Sequence, residues 1–574
     1  MNPVSARIWS LRKDLPLLDN RSADLAQTLA INPIIAQLLL LRDVDTAEKA
    51  REFLSARLSS LPDPSLLPDM ELACQRIYQA LQQNERIAIH GDYDVDGITG
   101  CTLLVEVLRA LGADVEYHIP LRMKDGYGLS ADAMHQSAVT GCRLAISVDC
   151  GVSALVEADL AQELGIDLII TDHHQPPETL PHCLALINPH LPNNQFPWTD
   201  LSGVGVAFFL LAGLRRCLRD NNYFVNRTEP DLRHSLDLVA LGTIADIVPL
   251  GGVNRMLVRT GLELLENGSR PGIAALKKVA DVKKVTSGTV GFRLAPRLNA
   301  VGRLEDATLG VQLLLGTENE ETTALAGMLD EFNRDRQKIE QQTLDQALAM
   351  LDSEEDDRYT IVLACEDWHS GVIGIVASRL VERYNRPTVL IALESGKPGK
   401  GSARSISGFH LFNAFNACSE HFCGFGGHAM AAGLSIDADN IAAFRDQFEQ
   451  EARQQLSQND LIPVSHHDGE ICLDQLSLPL LDQIDQINPF GMGNPQPAFV
   501  SRVCQVYNPR ILVEKHLKFE VEQSGMRVDC IAFGQAEQFD RLNGSIDILY
   551  RPGINEWRGN KTLQLQIVDF VETV

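Results

Sequence analysis

The sequence predicts an α/β protein of several domains, and three observations carry that expectation. Between residues 85 and 200, short apolar runs alternate with segments of helical periodicity, the pattern of a mostly parallel sheet with helices on both faces. The same alternation returns between residues 359 and 393. Beyond about residue 461 it gives way to short strands separated by Gly, Asn and Asp turns, which suggests a small β-barrel. At 574 residues the chain exceeds a single core and allows roughly three to five domains.

Taken in order, Arg86 to His90 reads as a buried strand, and Gly97 to Leu111 as a helix with Leu103, Leu104, Val107 and Leu108 on one face. Val115 to Ile119, Leu144 to Val148, Asp167 to Thr171 and Leu184 to Ile187 read as further strands. Residues 318–351 read as one long helix, with Leu325, Leu329, Phe332, Ile339, Leu344, Ala347 and Leu351 at helical spacing and charge on the remaining face. It ends in the acidic run Asp352 to Asp357, a solvated boundary. Tyr359 to Cys365 is then a strand, Gly371 to Tyr384 a helix and Pro387 to Leu393 a strand. Leu517 to Val521, Val528 to Phe533, Ile546 to Tyr550 and Leu563 to Val568 are the short strands of the terminal unit.

Composition narrows the function classes. With 45% hydrophobic and 22% charged residues the chain is ordinary for a globular protein, so wholesale disorder is excluded. No apolar run reaches the ~18–20 residues of a membrane span, and the first residues show no signal-peptide pattern. The twelve cysteines form no C-x-x-C pair. Cys418 and Cys423 bracket His421 without a second ligand pair, so a zinc site is not expected. Scattered thiols without export signals predict a reducing cytoplasm. The net charge of −26 argues, on its own, against a polybasic nucleic-acid binder or an anionic membrane surface.

The chemistry is concentrated in a few motifs. His90-Gly91-Asp92-Tyr93-Asp94-Val95-Asp96-Gly97 places four metal-capable side chains where a strand ends and a helix opens. Asp149 follows a second apolar strand, and Asp172, His173 and His174 follow a third. Asp246 follows the apolar stretch Leu238 to Ile244 and is expected on the same rim. A lone Asp after a strand is usually a turn or cap residue. Four such segments in order are another matter, because an open parallel sheet binds ligands at the carboxyl ends of its strands. Carboxylates packed so closely would repel and resist ionisation, and two divalent cations would relieve that.

These segments resemble the motifs of the DHH phosphoesterase superfamily, named for triplets of the Asp172-His173-His174 type. Arg122 to Gly128, Pro296 to Arg303, Lys400 to Ser405 and Gly424 to His428 extend the resemblance to its single-strand-specific DNA exonucleases, over nearly the whole chain. The resemblance implies a DHH phosphoesterase domain with an N-terminal extension over residues 1–317 and a connector helix over 318–352. A DHH-associated substrate-binding domain over 353–460 and an OB-type barrel over 461–574 would follow. It implies metal ligation by His90, Asp94, Asp96, Asp149, His173 and Asp246, with Asp149 bridging two cations, Mn²⁺ or Mg²⁺. Asp92 is left as a ligand or a supporting group. His174 would contact the scissile phosphate, and Asp172 would orient the histidines.

Residues 282–304 carry Lys283, Lys284, Arg293, Arg297 and Arg303 and no acid, a local charge of +5 within an acidic chain. By the resemblance, Arg122, Arg297, Arg303, Ser402 and Arg404 line the path of DNA and its 5′ phosphate. Gly426, Gly427 and His428 would lie where backbone amides approach phosphates. Lys515, Lys518, Phe519, Trp557, Arg558 and Lys561 are the candidates of the barrel, with Phe519 equally suited to its core.

The expected function is therefore removal of mononucleotides from the 5′ end of single-stranded DNA by two-metal hydrolysis, with a path too narrow for a duplex. A phosphodiesterase for very short nucleotides would not need the terminal barrel. A catalytically dead scaffold would be expected to lack ligands that are all present here. The glycine–histidine segment also resembles a module attached to alanyl-tRNA synthetases, but no synthetase core is evident. The resemblance further implies a role in recombinational, mismatch and base-excision repair, beside single-strand-binding protein and a RecQ-type helicase; a monomer with no membrane partner is the expectation.

Overall fold

The computed structural model describes residues 7–13, 20–121, 126, 128–268, 270–351, 357–557 and 559–573. Contacts divide the chain into two units. One comprises residues 44–333 and 485–496, the other residues 1–43, 334–484 and 497–574.

The first unit is built on a five-stranded, all-parallel sheet. Its spatial order is Asp114–His118, Arg86–Gly91, Leu144–Val148, Asp167–Thr171, Ala185–Ile187. All five strands expected from the apolar runs are present, offset by a residue or two at some ends. They are apolar on both faces because both are covered. Ile87, Ile89, Ile146 and Ile169 join the large core with the helices Met70–Gln83, Val95–Ala110, Gly203–Asp220 and Leu236–Ala245. Ala88, Ala145, Leu168 and Ile170 pack on the other face with the helices Ala131–Val139 and Leu155–Glu163.

Register then places the chemistry. Gly91 lies beside Val148, and Val148 beside Thr171. Three strands therefore end at one level, and the next residues, Asp92, Asp149 and Asp172, leave the sheet together. The strand order reverses between Arg86–Gly91 and Leu144–Val148, the switch point where doubly wound sheets open a crevice. Asp246 corrects the sequence reading. Leu236–Ala245 is a buried helix rather than a strand, and Asp246 is its C-cap residue. A seven-residue apolar run such as Leu238 to Ile244 does not distinguish a buried strand from a buried helix by periodicity.

The helix Asn319–Leu351 matches the expectation of 318–351. Leu325, Ala326 and Leu329 pack in the core of the first unit, and Ala347 and Leu351 in a core of the second. The acidic run after it lies largely outside the described residues. In the second unit, a mixed five-stranded sheet has the order Phe422–Gly427, Ala431–Ile436, Lys397–Arg404, Thr388–Glu394, Ile361–Cys365. Phe415, Phe444 and Phe448 fill the core beneath it.

The terminal strands Phe499–Leu512, His516–Gln523, Met526–Ala532, Ser545–Trp557 and Asn560–Glu572 close into the expected barrel. The first of these was not recognised in the sequence. Ile8–Leu11 pairs in parallel with Val464–His467. Among the described residues, no single helix is long and apolar enough to cross a membrane.

Candidate metal centre

The Asp92–Asp96 segment is a tight turn from strand to helix. Asp94 is the N-cap residue, its Oδ1 accepting from the Asp96 amide at 2.9 Å and the Gly97 amide at 3.1 Å. A Cβ at Gly97 would lie 2.5 Å from the Asp92 amide, so only glycine lets the turn fold back on the helix. A second helix clamps the turn from outside. Asn299 Oδ1 accepts from the Val95 amide at 3.1 Å, and Gly302 sits against the Tyr93 carbonyl, 2.5 Å from where a Cβ would be.

Asp96 points the other way. Its carboxylate accepts from the amides of Gly203 (2.5 Å) and Val204 (2.9 Å), the first residues of the Gly203–Asp220 helix. Asp149 sits in the left-handed region at φ +64°, which Asp tolerates better than most residues. Its amide donates to the Thr171 carbonyl at 3.0 Å, which ties the turn to the neighbouring strand end.

Asp172 organises the two histidines. Its Oδ1 accepts from the amides of His173 (2.7 Å) and His174 (3.1 Å) and from Nδ1 of the His174 ring (2.7 Å), and its Oδ2 from the Val152 amide (2.9 Å). Burial opposes its ionisation, but the bonds from the His174 ring and these amides hold its carboxyl below the usual range. Burial likewise opposes a charge on His174, and the bond and charge of Asp172 outweigh it and raise the imidazole.

His173 Nε2 is 3.0 Å from Asp149 Oδ1, 3.6 Å from Asp246 Oδ2 and 3.9 Å from Asp96 Oδ2. Burial lowers this ring to about 4, His174 adding to the effect, so it faces the carboxylates as a neutral imidazole. The carboxyls themselves are pushed up by burial and then by one another. Asp92 and Asp96 rise to about 7, Asp246 to about 9, and Asp149 well above the carboxylate range.

Three sets of donor atoms lie within 4.8 Å of one another: Asp92, Asp94 and Asp149; Asp96, His173 and Asp246; and Asp149, His173 and His174. Asp92 Oδ1, His173 Nε2 and Asp246 Oδ2 are buried without an aligned hydrogen bond. Buried polar atoms left unsatisfied are costly, and three of them within these donor sets call for a ligand. The hard carboxylates and imidazole fit divalent cations such as Mg²⁺ or Mn²⁺.

Among the expected ligands, His90 is the one outside these sets. Its ring stacks on His118 at 5.0 Å, and its Nε2 lies 3.4 Å from Ser137 Oγ. Burial, with His118 second, lowers it to about 3.

The expected DNA contacts divide. Arg122 and Arg558 lie outside the described residues, and Trp557 is the last residue of its strand. Arg297 is held by Asp330, its Nε at 2.9 Å from Oδ1, with Nη1 at 2.5 Å from the Arg293 carbonyl, so its fork is already engaged. Arg303 lies in the last turn of Ala295–Leu304, half-buried, while Lys283, Lys284 and Arg293 are exposed.

In the second unit, Ser402 and Arg404 stand on Lys397–Arg404, with Arg404 Nη1 3.3 Å from Ser402 Oγ. Both lie against the first turn of the Ile373–Tyr384 helix, where a Cβ at Gly374 would be 2.8 Å from Ser402 Oγ and 3.1 Å from Arg404 Nη2. Gly426 and Gly427 are exposed on the edge strand Phe422–Gly427, and His428 follows, its amide bonded to the Ala431 carbonyl. Gly426 and Gly427 are thus part of a strand, and His428 lies just past its end.

In the barrel, Phe519 is buried and belongs to the core, which removes it as a stacking face. Lys518 pairs with Asp529 at 2.9 Å, whereas Lys515 and Lys561 are exposed. His421 bonds Gln447 at 2.6 Å, and no metal-ligand set forms there among the described residues.

Comparison with known proteins extends this geometry. Family models match the chain as DHH family, N-terminal domain (residues 86–243), DHHA1 domain (357–454) and RecJ OB domain (467–569). The single-stranded-DNA-specific exonuclease RecJ of Escherichia coli is 38% identical, covering 96% of this chain and 97% of the relative. The chain belongs to the RecJ family. RecJ of Dickeya dadantii is 40% identical over 90% of this chain and 92% of its own. The crystal structure of RecJ in complex with Mn²⁺ from Thermus thermophilus superposes with a TM-score of 0.84 at 30% identity, covering 99% of this chain and 80% of that one.

Three supports of the centre carry no signal in the sequence alone: Gly203, Asn299 and Gly302. Gly302 and Asn299 stand inside the Pro296 to Arg303 segment, where the arginines are the residues whose type signals DNA.

Proposed function

We propose that the chain is a metal-dependent exonuclease that removes mononucleotides from the 5′ end of single-stranded DNA. The observation that carries the reading is the pair of donor sets Asp92–Asp94–Asp149 and Asp96–His173–Asp246, which His173 Nε2 brings together at 3.0 Å from Asp149 Oδ1 and in which Asp92 Oδ1, His173 Nε2 and Asp246 Oδ2 are buried and unsatisfied. Each set would hold one divalent cation, with Asp149 beside both and His90 outside. Bound cations supply Lewis acidity and an ionised water at neutral pH.

The protein's own part is organisation. The helix amides at Gly203 and Val204 hold the Asp96 carboxylate in place, and Asp94 as N-cap keeps the opposing turn rigid. His174, bonded through Nδ1 to Asp172, presents its other nitrogen toward substrate and donates a hydrogen bond as charge grows on the phosphate. No Ser or Cys nucleophile is needed.

The relatives' names support the single-stranded DNA substrate, and the Mn²⁺ complex of the Thermus thermophilus RecJ supports the choice of ion. Ser402 and Arg404 at a helix N-terminus suit a phosphate of the strand, with Gly426, Gly427, His428 and the barrel's Lys515 and Lys561 as further contacts. A cytoplasmic monomer acting in recombinational, mismatch and base-excision repair, beside single-strand-binding protein and a RecQ-type helicase, is the setting we assign.

The test is digestion of end-labelled single strands in Mn²⁺ or Mg²⁺. Wild type should shorten a 3′-labelled strand from its 5′ end, and Asp149→Ala should not. Undiminished activity in Asp149→Ala overturns the mechanism.

A further inference from the structure

Directly after Asp246 the surface turns apolar. Ile247 is 65% exposed and adopts φ +62°, a conformation that is an outlier for a β-branched residue. Across a groove stands Phe292, 87% exposed, and beside both is Met492, 55% exposed. Ile244 and Phe490 close the floor. Single exposed apolar residues need no explanation, but a contiguous set with a strained member is a different matter.

The groove is held rigidly. Phe292 lies in a π-helical segment, Val290–Leu294, whose Val290 and Leu294 are buried while Phe292 and Arg293 face out. Met492 and Phe490 belong to a strap bonded on both sides: the Met492 carbonyl accepts from the Leu250 amide at 2.8 Å, and the Phe490 carbonyl from the Ser287 hydroxyl. Gly491 and Gly493 lie so close to Leu250 and Pro249 that side chains there would clash. Exposed Lys283, Lys284 and Arg293 stand in or next to the same π-helical segment, although Arg293 has Asp281 at 4.0 Å.

We propose that this groove receives an unstacked base of the DNA strand whose phosphate lies at the carboxylates, with Phe292 as the stacking face. The inference rests on the nuclease reading above. Two features name the occupant. The groove continues from Asp246, so a strand reacting at the centre passes it. Exposed Arg293 directly follows Phe292 in the chain, suiting the backbone, while the lining of Ile244, Ile247, Phe292, Phe490 and Met492 is apolar, suiting a base. A single aromatic face takes any base, because every base offers a π-face. A duplex, whose bases remain stacked on each other, offers it nothing, so the groove would contribute to the preference for single strands.

The experiment uses the full-length chain and a fluorescein-labelled, 5′-phosphorylated 20-mer of thymidine, bound in Ca²⁺ and followed by anisotropy, with nuclease assays in Mn²⁺ run in parallel. Phe292→Ala should weaken binding about tenfold, and Phe292→Trp should restore it. Because Phe292 is exposed, neither change threatens the fold. An abasic residue stepped along the 20-mer should weaken wild type at one position, and Phe292→Ala should be indifferent to that position. Equal affinity of wild type and Phe292→Ala overturns the platform, as does an abasic penalty that persists in the variant; either leaves the nuclease reading standing. Tighter binding of an apolar peptide with no dependence on the base would assign the groove to a protein partner and also overturn it. Loss of the nuclease assay in wild type, with the base-dependent binding intact, would remove the nuclease reading and keep the platform.

Discussion

Gly203 leaves no room for a side chain beside Asp149: a Cβ there would fall 2.5 Å from the Asp149 Cβ and 2.7 Å from its Oδ1. The same glycine donates its amide to Asp96. One small residue therefore sets the spacing between two carboxylates of different metal sets. Gly203→Ala should push the helix N-terminus away from both. We expect metal affinity to fall about 10- to 100-fold, the range for residues that orient ligands, with turnover falling alongside. Mn²⁺ titration calorimetry with circular dichroism as a folding control checks this, and unchanged affinity would show that the contact is dispensable.

The raised carboxyls predict how the metal-free protein responds to pH. An Asp ionises near ~3.9 in an unfolded chain. Asp92 and Asp96 ionise at about 7 when folded, and Asp246 at about 9, because burial and mutual repulsion oppose their charge. The folded state thus holds these protons more tightly. Their contribution favours folding least once the groups are ionised, so stability falls as pH rises from about 4 through 7 to 9. Divalent cations reverse this by binding the ionised, folded form. The melting temperature gained on adding Mg²⁺ to the chelated protein should therefore widen between about pH 6 and pH 9. A gain that is flat across this interval would contradict the repulsion argument.

Asp172 should act on rate more than on metal binding. It bonds the His174 ring and three amides rather than pointing into the donor sets. Asp172→Asn keeps the shape but removes the charge that raises His174. The imidazolium fraction at neutral pH then drops, and the alkaline limb of the pH–rate profile should move to lower pH with turnover about 10- to 100-fold down. A variant slowed equally at every pH would assign Asp172 a purely structural role.

The readable parts of this protein were those where chemistry and periodicity coincide in a short window. The strands Leu144–Val148 and Asp167–Thr171 are bounded by the residues expected, because apolar β-branched runs ending in Asp have few other readings. Asp246 was found as a site residue but placed on the wrong kind of element, since a buried helix is apolar all round. Gly203 and Gly302 carried no signal by themselves, because a glycine's close approach depends on a partner 54 or 209 positions away, Asp149 or Tyr93. Phe519, open between core and DNA face, and Arg297 show the opposite difficulty. An aromatic and an arginine suit DNA by type, and only packing reveals that one fills the barrel and the other holds Asp330.

Arg255 makes a prediction about folding alone. It is among the largest fully buried side chains, and it donates to the carbonyls of Phe53 (2.8 Å), Gln486 (2.8 Å) and Ile487 (2.6 Å), with its guanidinium 3.9 Å from the centre of the Phe53 ring. It thereby fastens the strap that carries Phe490 and Met492. Arg255→Met fills the volume but leaves three carbonyls unsatisfied, and Arg255→Lys cannot span them. Both should lose about 3–5 kcal/mol in urea unfolding. A loss below about 1 kcal/mol would mean that water replaces the guanidinium.

Phe519 and Lys561 separate stability from DNA binding within the barrel. Phe519 is buried and meets Phe570 edge-on, ring centres 6.2 Å apart. Phe519→Ala should cost about 3–5 kcal/mol by leaving a cavity, while the affinity of the folded fraction for single strands stays as in wild type. Lys561 is exposed on the long hairpin of Ser545–Trp557 and Asn560–Glu572, so its truncation opens no cavity. If Lys561 meets a phosphate, Lys561→Ala should weaken binding for all sequences alike and reduce the slope of log affinity against log salt by about 0.7. Urea melts and salt-dependent binding on both variants decide it. A Phe519→Ala protein of full stability and poor affinity would return the ring to the DNA face and contradict its place in the core.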